Sequence, residues 1–332
     1  MCRIHAMKFV FSKKLYCYEI FLGLLTIGQG LFVAILLIKE LSLSIALLLD
    51  LFVFIFYSIT WLIILIQYYL LRNSLPIIIA ELYDINNCLT NISYNSFFNA
   101  GIIVITILNA ISRLIDLYYR QFSWDYTIAS ILYFISTNAP VMVAGQYSVL
   151  LYIISRQLGA ITQQLSTLYN SADIRQMVDI HHALCNLAER VNNAYDIYLL
   201  HVITLSFVVI VIKIYIIIVC IVRPDVYADT LSLVITVFDV FGSGGVIILI
   251  VTSAMKAANN AERFNAELFK SIMMSSWDIS KDVNNTLRTY LNMKHQLKQT
   301  ACQFFYLDYR LLTSMAAGTT TYVILLVQFT LL

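Results

Sequence analysis

The 332-residue sequence has few charged residues. Asp, Glu, Lys and Arg together make up 12% of it, whereas 60% of its residues are hydrophobic. A water-soluble domain needs a polar surface, and this composition leaves too little polar sequence to cover so much apolar side chain. The scarcity of charge therefore excludes an ordinary soluble domain and predicts apolar runs long enough to cross a lipid bilayer.

Three further absences narrow the function. The net charge is only +2, so nothing indicates a nucleic-acid partner. No nucleophile, base and orienting group stand at a recognisable spacing, which argues against an enzyme. The six cysteines lack the short paired spacings of metal sites and disulfide frameworks, so no metal or cofactor is expected. They are Cys2, Cys17, Cys88, Cys185, Cys220 and Cys302.

Seven apolar runs of about 20 residues are present, with most of the charge between them. The first follows a basic amino terminus, but it is too long for the core of a signal peptide, and we interpret it as a retained helix. The expected fold is an all-α membrane protein with seven transmembrane helices. The predicted spans are residues 20–38, 43–66, 97–118, 127–154, 200–222, 231–252 and 312–332.

The distribution of basic residues predicts the orientation, because Lys and Arg concentrate on the cytoplasmic side of membrane proteins. The amino terminus and the loops on its side carry sixteen of them, and the opposite side carries Lys39, Arg120 and Arg223. The amino terminus is therefore predicted inside and the carboxyl terminus outside, the reverse of a G-protein-coupled receptor. The outer loops are short, so a ligand arriving from outside has to bind between the helices.

The polar sequence gathers on the inner side and has helical periodicity. Apolar residues recur at three- and four-residue spacing through 158–168 and 174–198. We expect a cytoplasmic amino terminus at 1–19, transmembrane helices 1–6 within 20–252 that include a helical inner loop at 155–199, anchor helices at 253–311 and the last helix at 312–332. The inner helices either pack on their own chain or form a platform for oligomerisation.

Five charged residues lie within the predicted spans, all in the outer half of the membrane. Asp50, Lys213 and Asp239 fall at nearly one level when helix rise is counted from the outer ends. Charged groups at such depth face a bundle interior or a wet cavity. They either pair to hold helices together or line a ligand pocket open to the outside. The candidate ligand-binding residues are Asp50, Tyr57, Arg113, Asp116, Asn138, Lys213 and Asp239.

The last apolar run contains a conspicuous polar residue, Gln328, within "TTTYVILLVQFTLL". A buried amide without a partner costs about 1–3 kcal/mol, so Gln328 needs a hydrogen-bonding neighbour or water. Thr321, Leu325 and Gln328 share one helical face, and Tyr322 and Phe329 lie on the face next to it. The small residues of 316–321 permit close helix packing, so a packing face is one interpretation.

The same segment resembles a known family. Thr321-Tyr322, five hydrophobic residues and then Gln328-Phe329 is similar to the signature of the last transmembrane helix of insect gustatory receptors. The approach from Ala301, with its aromatic residues, a Leu-Asp pair and a run of small residues, resembles that family as well.

The resemblance implies a ligand-gated, non-selective cation channel of four subunits in the plasma membrane of sensory neurons. Each subunit would contribute its last helix to a central pore, with Thr321, Tyr322, Leu325, Gln328 and Phe329 at the pore or gate. Its partners would be a small-molecule tastant, permeating cations, membrane lipid and other copies or sister subunits. An odorant-receptor-like channel and a membrane transporter remain the alternatives.

Overall fold

A computed structural model of the chain describes residues 28, 45–88, 97–119, 124–165, 171–222, 230–274, 290 and 297–331. Six helices and one small hairpin account for nearly all of these residues. In chain order they are α1 (Ile45–Cys88), α2 (Phe97–Tyr119), α3 (Trp124–Leu165), α4 (Ser171–Val222), α5 (Thr230–Met274), strands β1 (Thr300–Ala301) and β2 (Phe305–Tyr306), and α6 (Tyr309–Leu331). The predicted all-helical architecture is confirmed for this part of the chain.

Within the described residues, five helices are long and apolar enough to cross a membrane. The apolar segments are Ile55–Arg72, Thr137–Leu165, Asp173–Val222, Leu233–Met273 and Tyr309–Phe329, and a shorter one is Ile102–Ser112 in α2. They correspond to the second to seventh predicted spans. Apart from Gly28, the first predicted span at residues 20–38 lies outside the described residues. The same is true of residues 275–296 of the predicted anchor helices, apart from Tyr290.

Four helices are much longer than a bilayer is thick. Helix α4 alone has 52 residues, about 78 Å at 1.5 Å per residue, against a bilayer of about 40–45 Å. The segments of α1, α3, α4 and α5 beyond the predicted spans, residues 67–88, 155–165, 171–199 and 253–274, form what we call the inner layer. The predicted topology places this layer in the cytoplasm.

Apolar and aromatic side chains of α3, α4 and α5 fill the inner layer and the adjoining membrane region. Ile174, Val178, Leu184, Leu187 and Val191 are all buried, which confirms the predicted inward face of the inner segment of α4. Two hydrogen bonds between buried polar groups cross from one helix to another: the Tyr147 hydroxyl donates to Asn192 Oδ1 at 3.3 Å, and Gln157 Nε2 donates to the Leu82 carbonyl at 3.2 Å.

A two-stranded hairpin connects the inner layer to α6. Thr300 pairs with Tyr306 and Ala301 with Phe305, and the turn between them puts Cys302 and Gln303 at positive φ, 49° and 60°. The Cys302 amide donates a hydrogen bond to the Asp196 carboxylate on α4. The hairpin is thereby held against α4, and it sets where α6 begins.

Asp308 caps the start of α6. Its Oδ1 accepts hydrogen bonds from the backbone amides of Arg310 at 3.0 Å and Leu311 at 3.2 Å, two of the donors that have no partner in the first turn of a helix. Asp308 belongs to the Leu-Asp pair noted in the sequence before the last helix. The last helix therefore begins at this pair.

Candidate functional site

A small polar cavity lies among α1 to α5, in the half of the membrane region that the predicted topology places outside. The space between its walls, with the open solvent at its mouth included, is about 430 Å³. Every one of the five helices contributes to its wall. The lining residues are Tyr57, Asn109, Thr137, Pro140, Val141, Leu205, Ser206, Asp239, Gly242, Ser243 and Val246.

Two buried asparagines form one wall of this cavity. Asn109 Nδ2 on α2 donates a hydrogen bond to Asn138 Oδ1 on α3 at 3.2 Å, and Asn138 Nδ2 donates to the Phe134 carbonyl at 2.8 Å. Asn138 was predicted to bind ligand; it lies behind Asn109, which lines the cavity itself. The pair orients the Asn109 amide toward the cavity and the α5 wall.

Gly242 on α5 makes room for this amide. A Cβ added at Gly242 would lie 2.9 Å from Asn109 Oδ1, closer than a carbon and an oxygen normally approach. Gly245, one turn on, faces Ile105 of α2 in the same way, at 3.2 Å. The glycines of α5 therefore allow α2 to pack closely and shape the cavity wall.

A charge pair crosses from α4 to α5 at the edge of the cavity. Lys213 Nζ lies 3.6 Å from Asp239 Oδ2, and the two side chains are 13% and 10% exposed. From the sequence, Lys213 was expected to pair with either Asp239 or Asp50 if these charges hold the helices together, and the structure shows the pair with Asp239. Asp239 also lines the cavity, so the same carboxylate holds the helices together and faces the space where a ligand could sit.

Tyr57 is the remaining predicted residue that lines the cavity, where it is buried on α1. Three predicted ligand-binding residues cannot be placed in this way: Asp50 belongs to α1 and Arg113 and Asp116 to α2, but their side chains lie outside the described residues. The structure thus brings Tyr57 and Asp239 to one cavity, with Asn138 behind its wall and Lys213 at its edge.

Sequence reasoning missed a polar contact between α1 and α4. Thr60 Oγ1 lies 2.8 Å from His201 Nε2 and also donates to the Phe56 carbonyl at 2.8 Å. A hydroxyl has one proton, so Thr60 accepts from the histidine and His201 carries its proton on Nε2. His201 stands at the predicted edge of the fifth span, where a titratable residue could have been noticed.

Helix α6 leaves the predicted pore face uncovered in a single chain. Thr321, Tyr322, Leu325, Gln328 and Phe329 are all exposed, Phe329 to 82%. The buried side of α6 is opposite, at Thr319 and Val323. Gln328 therefore does not pack against another described helix of its own chain.

Helix α6 meets the rest of the chain mainly at α4. The ring of Phe207 lies edge-on to Tyr322, with centroids 6.0 Å apart, and it covers Gly318, where an added Cβ would lie 3.3 Å from the Phe207 ring. Ser206, the residue before Phe207, lines the cavity. A single step along α4 thus separates the cavity from the contact with the last helix.

His181, the first of two adjacent histidines in the inner layer, is bonded to other residues of the chain. His181 Nδ1 lies 2.5 Å from the Tyr290 hydroxyl and Nε2 lies 3.3 Å from the Ala261 carbonyl, with its ring stacked on Phe264 at 4.2 Å. Because only a protonated Nε2 can donate to a carbonyl, the Nδ1 of the neutral ring accepts a hydrogen bond from the Tyr290 hydroxyl. Burial raises the pKa of Tyr290, which keeps that hydroxyl protonated. In the part of the chain that is described, no three His, Cys, Asp or Glu residues are grouped to hold a metal.

Comparison with known proteins gives three findings. The family model described as 7tm Chemosensory receptor matches residues 2–332. The Drosophila melanogaster gustatory receptor for bitter taste 66a is 22% identical over 174 residues, a match that spans half of this chain and 33% of that relative. The fold is similar to the insect olfactory receptor OR5 from Machilis hrabei, with a TM-score of 0.74 and 16% identity over 99% of this chain and 92% of that one. The same receptor in complex with eugenol also has a TM-score of 0.74, at 17% identity over 98% of this chain and 92% of that one.

Proposed function

This chain belongs to the 7tm chemosensory receptor family, and on that basis we propose that it is a taste receptor that works as a ligand-gated, non-selective cation channel. The proposal extends to a plasma-membrane location in sensory neurons and to assembly of four copies, or of this chain with sister subunits. The observation that carries it is that one chain has two separate features. A polar cavity among five helices could bind a ligand, and the exposed polar face of the sixth helix could line a pore.

The cavity is suited to a small molecule that both forms hydrogen bonds and has apolar surface. Its walls offer the Asn109 amide, the Ser206 and Ser243 hydroxyls and the Asp239 carboxylate among apolar side chains such as Leu205. Small-molecule sites combine these features, an apolar lining with a few convergent polar groups. We assign the tastant to this cavity, with Tyr57 and Asp239 among its contacts.

The pore is assigned to the exposed face of α6. Four copies arranged around an axis would cover Thr321, Leu325 and Gln328 with one another and with water, which satisfies the Gln328 amide without a partner in its own chain. Phe329 would form an apolar ring next to this polar one. An apolar constriction closes to ions by losing its water, so no separate plug is required.

The contact between α4 and α6 provides a direct route from ligand to gate. A ligand held at Ser206 changes the position of α4 at the next residue, Phe207, which covers Gly318 and packs on Tyr322. A rotation of α6 in response would turn Phe329 away from the pore axis and bring Gln328 toward it. Ligand binding opens the pore to the extent that it favours one of these two arrangements over the other.

The second candidate is an odorant-receptor-like channel. The fold similarity to the olfactory receptor OR5, which has been solved in complex with eugenol, favours it. The gustatory relative and the Thr-Tyr and Gln-Phe motif of α6 favour taste. Both candidates share the channel and differ in the ligand that opens it.

Expression of the chain alone in oocytes, with currents recorded against a panel of sugars, bitter compounds and volatile phenols, tests this proposal. A cation current evoked by a sugar or bitter compound, and abolished in Gln328→Arg at equal surface labelling, is the expected result. A current evoked only by volatiles would favour the odorant alternative. Substrate uptake with no ligand-evoked current would indicate a transporter instead.

A further inference from the structure

A second cavity lies between α3 and α5 in the inner layer, away from the ligand cavity. Its empty space is about 770 Å³, part of which opens to solvent. Two arginines line it, Arg156 from α3 and Arg263 from α5, together with the side chains of Thr162, Gln163 and Asn260. None of the described residues that line it is Asp or Glu. The site therefore offers a concentration of hydrogen-bond donors and positive charge.

The register of the two helices brings the arginines to one level. Asn260 Nδ2 lies 2.8 Å from the Ser155 carbonyl and 2.9 Å from Ser155 Oγ, which fixes α5 beside α3 at this point. Arg156 follows Ser155 directly and Arg263 is three residues beyond Asn260, so both stand within about 5 Å of that bond along the helix axes. Within the described residues Arg263 has no ion-pair partner.

Gly159 keeps the space between the helices open. An added Cβ there would be 3.5 Å from Asn260 Nδ2, an ordinary contact, so the glycine is not required for helix packing. Any longer side chain at this position would project into the cavity. The absence of a side chain at Gly159 leaves room between Arg156 and Arg263 for a bound group.

The depth of this cavity follows from the same register. Asn260 stands eight residues beyond the predicted inner end of the sixth span at Thr252, which is about 12 Å into the cytoplasmic side. The headgroup layer accounts for only about 5–7 Å on each face of a bilayer. The arginines thus lie farther from the membrane, on the cytoplasmic side, than the phosphate that is attached directly to a lipid's glycerol. A larger headgroup that extends into the cytoplasm, or a soluble molecule, can reach them.

We propose that this cavity binds a compact polyanion with two or more phosphate groups, either the headgroup of a phosphorylated inositol lipid or a soluble inositol polyphosphate. Guanidinium groups bind phosphate through paired hydrogen bonds, and two of them on facing helices offer a binding group for each of two phosphates. Basic pockets between helices at the cytoplasmic side of membrane proteins bind such headgroups. Binding would join α3 to α5, the helices whose outer ends line the ligand cavity.

The test is an equilibrium binding measurement on the full-length protein in detergent. Fluorescent short-chain phosphatidylinositol 4,5-bisphosphate serves as the probe, and fluorescence anisotropy reports its binding. The double variant Arg156→Gln/Arg263→Gln should bind it at least tenfold more weakly than the wild type. Arg175→Gln/Lys270→Gln removes the same charge from exposed positions elsewhere in the inner layer and should stay within twofold.

A third variant separates the cavity from general electrostatic attraction. Gly159→Leu keeps every charge but fills the space, and it should also weaken binding at least tenfold. It tests the proposal independently of whether the double arginine variant folds. Binding that is equal in Gly159→Leu and the wild type, or equal in the two double variants, would overturn the proposal, as would a wild type that does not bind the probe.

Competition identifies the source of the phosphates. Unlabelled dioctanoyl phosphatidylinositol 4,5-bisphosphate that competes at least tenfold better than inositol 1,4,5-trisphosphate would support a lipid ligand. Equal competition by the two would support a soluble polyphosphate. Dioctanoyl phosphatidylserine that competes as well as either would show a non-specific anionic surface and overturn the proposal. None of these measurements depends on channel activity or on the tastant.

Discussion

Lys213 Nζ on α4 lies 3.6 Å from Asp239 Oδ2 on α5, at the edge of the polar cavity. Both residues fall in apolar helix segments where an isolated charge is costly. The pair lets each charge remain there, and it holds the outer ends of α4 and α5 together. Because Asp239 also lines the cavity, a ligand that interacts with it acts on the contact between these two helices.

Removal of one member of this pair should destabilise the protein more than removal of both. Asp239→Asn or Lys213→Gln alone leaves a single charge with little water, at a cost of about 3 kcal/mol, the lower end of the range for buried pairs. The double variant Lys213→Met/Asp239→Leu leaves no charge and should recover most of this loss. The thermal unfolding midpoint of the full-length protein in detergent measures the difference.

The exposed pair Glu267–Lys270, with 3.8 Å between its charged atoms, is the control. Glu267→Gln should change stability by less than about 1 kcal/mol, because water screens exposed pairs.

The half-maximal ligand concentration distinguishes the two roles of Asp239. If Asp239→Asn reaches the membrane and responds to ligand as the wild type does, the carboxylate has only a structural role.

Gly242 gives a second test of the cavity. In Gly242→Ala the added methyl group would lie 2.9 Å from Asn109 Oδ1, so the Asn109 amide has to move and its hydrogen bond to Asn138 is lost or weakened. We expect a several-fold shift in half-maximal ligand concentration, measured as current at matched surface expression, because the amide that faces the ligand is displaced.

Gly244 is a matched control two residues away on the same helix. Among the described residues, no atom beyond the adjoining backbone of its own helix lies within 4 Å of a Cβ added there. Gly244→Ala should therefore leave the ligand response unchanged and, since alanine is a better helix former, should not lower stability. Equal ligand responses in Gly242→Ala, Gly244→Ala and the wild type would mean that the ligand binds elsewhere.

Much of the helical framework could be predicted from the sequence. Apolar residues at a helical period indicated where helices run and which side faces inward, and Leu184 and Leu187 of α4 are buried as expected. The extension of α1 to Cys88 was not predicted, because it passes through Pro76, which normally ends a helix. The hairpin at 300–306 was also missed, since strands of two residues have no periodicity to detect.

The candidate site was only partly accessible to sequence reasoning. Helix rise placed Asp50, Lys213 and Asp239 at nearly one level, and Tyr57 was added because it shares the helical face of Asp50. The structure puts Tyr57 and Asp239 at one cavity. Asn109 and Ser206 were missed because neutral polar residues in an apolar run do not stand out as charges do. Which helices adjoin one another decides the cavity, and the order of residues along the chain does not contain that information.

Phe207 should transmit the effect of ligand to the last helix. In Phe207→Ala the edge-on contact with Tyr322 is lost, and such aromatic pairs contribute about 0.5–1.5 kcal/mol. That energy corresponds to about a two- to tenfold change in the equilibrium between closed and open states, which should appear as a changed maximal current at equal surface expression. Phe241→Ala, which removes an exposed ring from α5, is the control. An unchanged maximal current in Phe207→Ala would exclude this contact from gating.

The predicted topology can be tested directly with epitope tags. Because sixteen basic residues lie on one side and three on the other, a tag after Leu332 should be labelled on intact cells and a tag before Met1 only after permeabilisation. Untagged protein supplies the background. The sequon at Asn91 lies on the predicted inner side and should carry no glycan. A glycan at Asn91 would contradict the assignment even if the tags were inaccessible.

The exposed face of α6 makes a prediction about water access. In a channel lined by this helix, a cysteine at Gln328 should react with a charged methanethiosulfonate reagent applied from outside, faster when ligand is present, and the current should fall as it does so. Leu326 lies about 160° around the helix from Gln328, so Leu326→Cys, equally deep, should react at least tenfold more slowly. Replacement of the native cysteines by serine provides the background. If Gln328→Cys and Leu326→Cys react at the same rate, or neither reacts with ligand bound, α6 does not line the pore, and the exposed amide of Gln328 packs against another subunit instead.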